Sequence, residues 1–206
     1  MPDATFTDAD RARLTEAIRA AEAHTSGEIY VVVAREAGEF RFVPVLWAAL
    51  AALVLPWPLH LLTSWPTTII LLLQVLTFVA IALVTSHTPL RHRLVPTSIA
   101  ANAARKTALA QFMAHGVHLT EKRTGVLIYV ALANRRVEVV ADAGIHGKVD
   151  QAAWDEIAED VVQAARAGVL ADGLAHAVQR AGRLLAQHCP PAPRDRNELP
   201  DRVVEI

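Results

Sequence analysis

Residues 42–90 contain no Asp, Glu, Lys or Arg, although the chain around them is well charged and Arg41 and Arg91 bound the gap. One helical crossing of a bilayer needs roughly 20 apolar residues, so the gap has the length of two. It reads as a first span over 42–62 and a second over 65–85, joined by the short uncharged link Leu62-Thr63-Ser64-Trp65-Pro66. Backbone donors and acceptors find no water in hydrocarbon, so both spans are expected to be helical. So short a link makes the helices antiparallel and returns the chain to the side it left. Pro44 suits a first helical turn, whereas Pro56 and Pro58 predict a kink or an early end. Trp47, Trp57 and Trp65 suit the membrane interfaces. His60 falls near the loop, and Gln74 can hydrogen-bond across a helix pair. The spans lack ionisable pathway residues, which argues against a transporter. The competing reading, a buried hairpin inside a soluble protein, needs more surrounding chain than 206 residues provide.

The flanking charge sets an orientation. Residues 1–41 carry 5 basic and 8 acidic side chains, residues 91–123 carry 6 and 1, and residues 124–206 carry 9 and 12. The basic excess directly follows the second span, and the positive-inside rule puts both termini in the cytoplasm. Arg91, Arg93, Arg105 and Lys106 also suit anionic lipid head groups. A net charge of -1 speaks against a general nucleic-acid role. Met1 to Asp10 is polar and acidic, unlike a signal peptide, so the first span is expected to direct insertion. Cys189 is the only cysteine, so no intrachain disulfide forms, and it reads as an inert small residue at a helix end.

The polar segments alternate between helix and strand patterns. Thr7-Asp8-Ala9-Asp10 opens a helix with a cap and early acids, and Leu14, Ile18 and Ala21 follow at helical spacing. Glu28–Ala34 is a β-rich apolar run that reads as a buried strand. Pro96 to Val117 reads as a helix with Ile99, Ala103, Phe112, Met113 and Val117 inward. Residues 124–132 and 136–141 form strands around the turn Ala133-Asn134-Arg135, an antiparallel hairpin. Two amphipathic helices follow: about 151–167, with Trp154, Ile157, Val161 and Ala165 inward, and about 171–188, with Leu174, Val178, Ala181 and Leu185 inward. Residues 197–206 are expected to be a short, loosely structured tail. Strand, crossover helix and strand predict a parallel pair, giving a small mixed sheet with helices on its faces. The organisation is therefore a first helix and strand (1–41), a membrane hairpin (42–86), the remainder of the domain (87–190) and a C-terminal tail (191–206).

Several local patterns resemble the TPM domain family: His24-Thr-Ser-Gly-Glu28-Ile, Arg123-Thr-Gly-Val-Leu-Ile-Tyr-Val, and Val137-Glu-Val-Val-Ala-Asp142-Ala-Gly-Ile. Gln111-Phe with Gly116 and Leu119-Thr120, the run from Gly173, and Leu184 to Pro190 fit as well. Asn197 to Ile206 resembles the tail of a bacterial membrane-protein branch of that family. The resemblance implies an α/β fold, a three-layer α/β/α sandwich interrupted by a two-helix transmembrane hairpin. Its members are associated with acid phosphatase activity, calcium binding, photosystem repair in thylakoids and an auxiliary role beside a ligand-gated channel. Many carry an acidic loop before the second strand. Here Thr120-Glu-Lys-Arg-Thr-Gly125 has only Glu121, opposed by Lys122 and Arg123.

Asp142 matches the family's strand-end motif, and with Asp150 and Asp155 it forms the candidate oxygen-ligand set for a hard cation such as calcium. The competing role for Asp150 and Asp155 is to favour a helix start electrostatically. His115 and His118 share a helix face at i, i+3 but lack the further ligands zinc needs. His146, His176 and His188 form no local set either. No nucleophile elbow or phosphate-binding glycine loop is present. The expected function is a non-enzymatic interaction or assembly module anchored in the bacterial inner membrane. Its expected partners are the lipid bilayer and another membrane protein. The alternative is a weak phosphatase or metal-dependent hydrolase.

Overall fold

The computed structural model describes residues 6–38, 42–87, 95–191 and 197–206. Arg41, Arg91 and Arg93 lie outside the described residues. The chain divides into two compact units, residues 1–38 with 101–206, and residues 39–100.

In the first unit, α1 (Asp8–Glu22) begins at a capping box. Thr7 Oγ1 accepts from the Asp10 amide at 3.1 Å, and the Asp10 carboxylate accepts from the Thr7 amide at 3.1 Å. These reciprocal bonds satisfy two donors that a helix start leaves open. β1 (Glu28–Ala34) and β2 (Gly125–Ala131) are buried at every position. Their unbroken apolar character therefore reflects cover on both faces of the sheet. They pair in parallel from Glu28 opposite Gly125 to Ala34 opposite Ala131. β3 (Arg136–Ala141) runs antiparallel to β2, as the sequence pattern predicts.

The expected loose tail is corrected by the structure. Val203–Glu205 forms β4, parallel to β1, and the sheet order is β3-β2-β1-β4. The amide of Ile206 donates to the Val33 carbonyl at 3.0 Å, and the Arg35 amide donates to the Ile206 carbonyl at 2.9 Å. This segment covers an edge of β1 that would otherwise present open backbone groups.

Ile29, Val31, Val33, Val126, Ile128 and Val130 face one layer of the core, formed with α1, α7 (Gln151–Arg166) and α8 (Leu170–His188). Trp154, 1% exposed, anchors that layer. Tyr30, Val32, Leu127 and Tyr129 face the other layer, formed with α5 (Thr97–Ala114). The result is the three-layer sandwich. α5 departs from expectation in one respect. Its buried stripe is Ala100, Ala104, Ala108 and Phe112, while Ile99 and Met113 are 42% and 57% exposed. Ala104, Ala108 and Phe112 join the second core layer, and the larger apolar residues Ile99 and Met113 are left outside it. A short helix, α6 (Ala143–His146), connects β3 to α7.

The second unit contains α2 (Phe42–Val54), α3 (Pro56–Leu62) and α4 (Thr67–His87). The first apolar segment breaks at Leu55, directly before Pro56, where a proline cannot continue the hydrogen-bond ladder. α2 packs on α4, with Ala48, Ala52 and Ile70 buried, and small residues at that contact permit close approach. Thr63 and Thr85 turn their hydroxyls back onto the Leu59 and Ile81 carbonyls at 2.5 and 2.6 Å. Val45–Leu62 and Thr67–Thr85 are long and apolar enough to cross a membrane, with mean hydropathies of 1.9 and 2.5. Only 11% and 6% of these segments are buried, so the described chain leaves their apolar surface uncovered.

Candidate functional site

Parallel pairing brings the first residues of β1 and β2 side by side, and the chain around them concentrates carboxylates. Glu28 opens β1, Glu22 sits in the last turn of α1, and Glu198 and Asp201 arrive from the C-terminal segment. Glu28 accepts from the amides of Glu198 and Leu199 at 3.1 and 3.3 Å, so it holds that segment against the sheet. Glu198 in turn accepts from the Glu121 amide at 2.9 Å. Asp201 pairs with Arg19 at 3.0 Å.

Glu22 Oε1 accepts from the Ile29 amide at 2.8 Å. Burial, the larger cause, together with the neighbouring charges of Glu28 and Asp201, pushes the Glu22 carboxyl up to about 8. Burial also raises Glu28, against the two amides that favour its charged form. Arg19, Glu22, Thr25, Glu28, Asn197 and Asp201 line an open cleft of about 320 Å³. Gly27 lies beside it, where an added Cβ would stand 2.9 Å from Leu185 Cδ2 and oblige that side chain to shift. Chemically the cleft offers one carboxyl that stays protonated near neutrality, next to carboxylates already engaged by amides and an arginine.

The candidates read from sequence lie in separate settings. Asp142 is 4% exposed and takes a two-pronged bond from Arg123, Nε to Oδ2 at 2.8 Å and Nη2 to Oδ1 at 3.0 Å. It also caps α6 by accepting from the Ala143 amide at 2.6 Å. Its acceptor capacity is therefore largely used inside the fold. Asp150 caps α7 through the Ala152 amide at 3.2 Å, and Asp155 accepts from Gln151 Nε2 at 2.8 Å. Among the described residues, no group of three or more His, Cys, Asp or Glu side chains is arranged to hold a metal ion. His115 Nδ1 meets the Tyr30 hydroxyl at 3.2 Å, and the His118 ring lies 6.3 Å from that of Phe112. His146, His176 and His188 are exposed, and Cys189 is buried and forms no disulfide.

Sequence reasoning missed Glu22, Glu28, Glu198 and Asp201 as a group, since the chain separates them by up to 179 positions. One local signal was present. A charged residue opening an otherwise apolar strand marks a strand end where the backbone reaches polar surroundings.

A family model described as the TPM domain matches residues 79–184. Among solved structures, the NMR structure of BA42 protein from the psychrophilic bacterium Bizionia argentinensis matches with a TM-score of 0.62 at 20% identity. The match covers 100% of this chain and 99% of that one, and at that identity it speaks to the fold. No curated protein matches the chain.

Proposed function

This chain belongs to the TPM domain family, and from that premise we propose that it is a membrane-anchored, non-enzymatic interaction or assembly module of the bacterial inner membrane. One observation carries the reading. Two apolar helices with uncovered surfaces interrupt a single sheet between its paired central strands. A lipid environment would satisfy that surface, since burial of apolar area is the dominant favourable term in such partitioning. The basic excess after the second span favours a cytoplasmic domain with both termini on the same side. The partner would be another protein of the same membrane. Calcium, if it takes part, would have to use Asp142, Asp150 and Asp155 one at a time or after rearrangement, as they stand apart.

The test is fractionation and topology mapping of the full chain expressed in bacteria. The expected result is a protein that resists alkaline extraction, with cysteines placed at exposed Lys148 and Gln163 both protected from a membrane-impermeant label outside the cell. Recovery in the aqueous fraction without detergent refutes the anchor. Labelling of either site in intact cells refutes the orientation. Crosslinking in native membranes should then capture a reproducible protein partner.

A second reading, phosphate-ester hydrolysis, is favoured by Glu22, a protonated carboxyl in an open cleft and so a suitable general acid. Turnover of a generic phosphate ester by the purified chain, abolished in Glu22→Gln, supports it. Turnover equal in the parent, Glu22→Gln and Asp142→Asn assigns the activity elsewhere.

A further inference from the structure

We infer that segment 197–206 is a proton-operated latch: it closes the outer edge of β1 while Glu22 holds a proton and opens more often once that proton is lost.

The latch has a polar base and a short tip. At the base, Glu28 accepts from the amides of Glu198 and Leu199 at 3.1 and 3.3 Å, and Glu198 accepts from the Glu121 amide at 2.9 Å. Asp201 meets Arg19 at 3.0 Å and shares a hydrogen with Glu22. At the tip, β4 pairs with Val31, Val32 and Val33 of β1. The Ile206 amide donates to the Val33 carbonyl, and the Ile206 carbonyl accepts from the Arg35 amide. Arg11 holds Glu205 at 2.8 Å, a partly exposed pair that water screens. Leu199, Val203 and Val204 supply the apolar contact, and each is only partly buried.

Charge at the base decides when the latch opens. Glu22 shares its cleft with Arg19 from the same helix, Glu28 from β1 and Asp201 from the segment, while Thr25, Pro191 and Asn197 are neutral. With Glu22 protonated, two carboxylates and one guanidinium leave a single negative charge there. Ionisation of Glu22 adds a second, and like charges this close disfavour one another. Arg19 is exposed, so its compensation is screened.

The weaker partner gives way. α1 is fixed by Leu14 and Ile18, both fully buried. It also lies close against α8, where a Cβ on Gly182 would fall 2.6 Å from Ala21 Cβ. The segment is held by the polar bonds and three partly buried side chains described above, so repulsion is relieved by local opening there. Opening frees the Val33 carbonyl and the Arg35 amide and bares the edge of β1 to pairing with another strand. The Glu22 carboxyl titrates near 8 in the closed cleft and towards 4.5 in water. The open-to-closed ratio therefore rises by up to about tenfold per pH unit between those values.

Hydrogen exchange of the full chain in detergent reads the latch, with the intrinsic pH dependence of amide exchange divided out. Protection across 197–206 is expected to fall by up to about tenfold per unit from about pH 5 to 8, while protection of β2 holds. Glu22→Gln cannot ionise and should keep the segment's protection level over the same range. A flat profile in the parent, or an equal fall in Glu22→Gln, overturns the inference. A parallel loss in β2 also overturns it, since the whole domain is then opening rather than the latch. If Glu22→Gln does not fold, Asp201→Asn takes its place. With the facing carboxylate gone the slope should flatten, and a slope equal to the parent's overturns the inference.

Discussion

Replacing Glu22 with Gln should stabilise the domain at neutral and alkaline pH and leave it unchanged in acid. In the unfolded chain this carboxyl titrates near 4.5, whereas in the folded chain burial and neighbouring carboxylates hold it near 8. Below about 4.5 both states keep the proton, and the group contributes no penalty. Between 4.5 and 8 the unfolded state releases the proton and the folded state retains it, so stability falls as pH rises through that window. At about 1.4 kcal/mol per pH unit, the penalty is about 3 kcal/mol at pH 7 and levels off above pH 8. Gln reproduces the protonated form. Its Oε1 keeps the bond from the Ile29 amide, and its Nε2 supplies the hydrogen that Glu22 shares with Asp201. Thermal unfolding of the full chain in nanodiscs measures the effect. For a unit of this size, about 3 kcal/mol corresponds to a Tm gain of about 6–12 °C at pH 7, shrinking to nothing near pH 4.5. A gain of the same size at both pH values, or a loss at pH 7, refutes the argument that ionisation of Glu22 is what folding opposes.

Gly144→Ala should destabilise the domain by about 2 kcal/mol or more, because a Cβ there falls 2.4 Å from the Lys122 carbonyl oxygen and 2.6 Å from that of Arg123, both backbone; urea unfolding reads the loss. Asp142→Ala should cost about 2 kcal/mol through the lost α6 cap and the released Arg123, and the same titration checks it. Leu72→Arg places a charge on the exposed side of α4, 60% open, at a cost of about 3 kcal/mol to insertion; the fraction of chain resisting alkaline extraction should drop. Removing residues 203–206 should expose the edge of β1 and raise self-association, measured by light scattering in detergent.

The central architecture was legible because its signals are local. The Thr7 cap, the two fully apolar strands, the helical spacing of Trp154, Ile157 and Val161, and the Pro56 break each follow from residues within one turn or strand. β4 was not legible, since three residues give no periodicity and only the pair Val203-Val204 hints at a strand. The inward face of α5 differs from expectation because hydrophobicity favours Ile99 and Met113, whereas the core beside the sheet takes the small residues Ala104 and Ala108 with Phe112. Asp142 stands out in the sequence as a carboxylate at a strand end, but its Arg123 partner depends on a loop closure that spacing does not reveal. The Glu22, Glu28, Glu198 and Asp201 cluster joins both ends of the chain and exists only once β4 has docked.

The adjacency of β1 and β2 has a consequence for biogenesis. Ninety residues of chain separate the end of β1 from the start of its neighbour, and the apolar hairpin lies among them. A ribosome delivers β1 long before β2, so the nascent strand must wait, unpaired, while the whole apolar hairpin is made. The sheet closes only afterwards, which makes maturation of the domain a downstream report on how the hairpin's apolar surface has been covered.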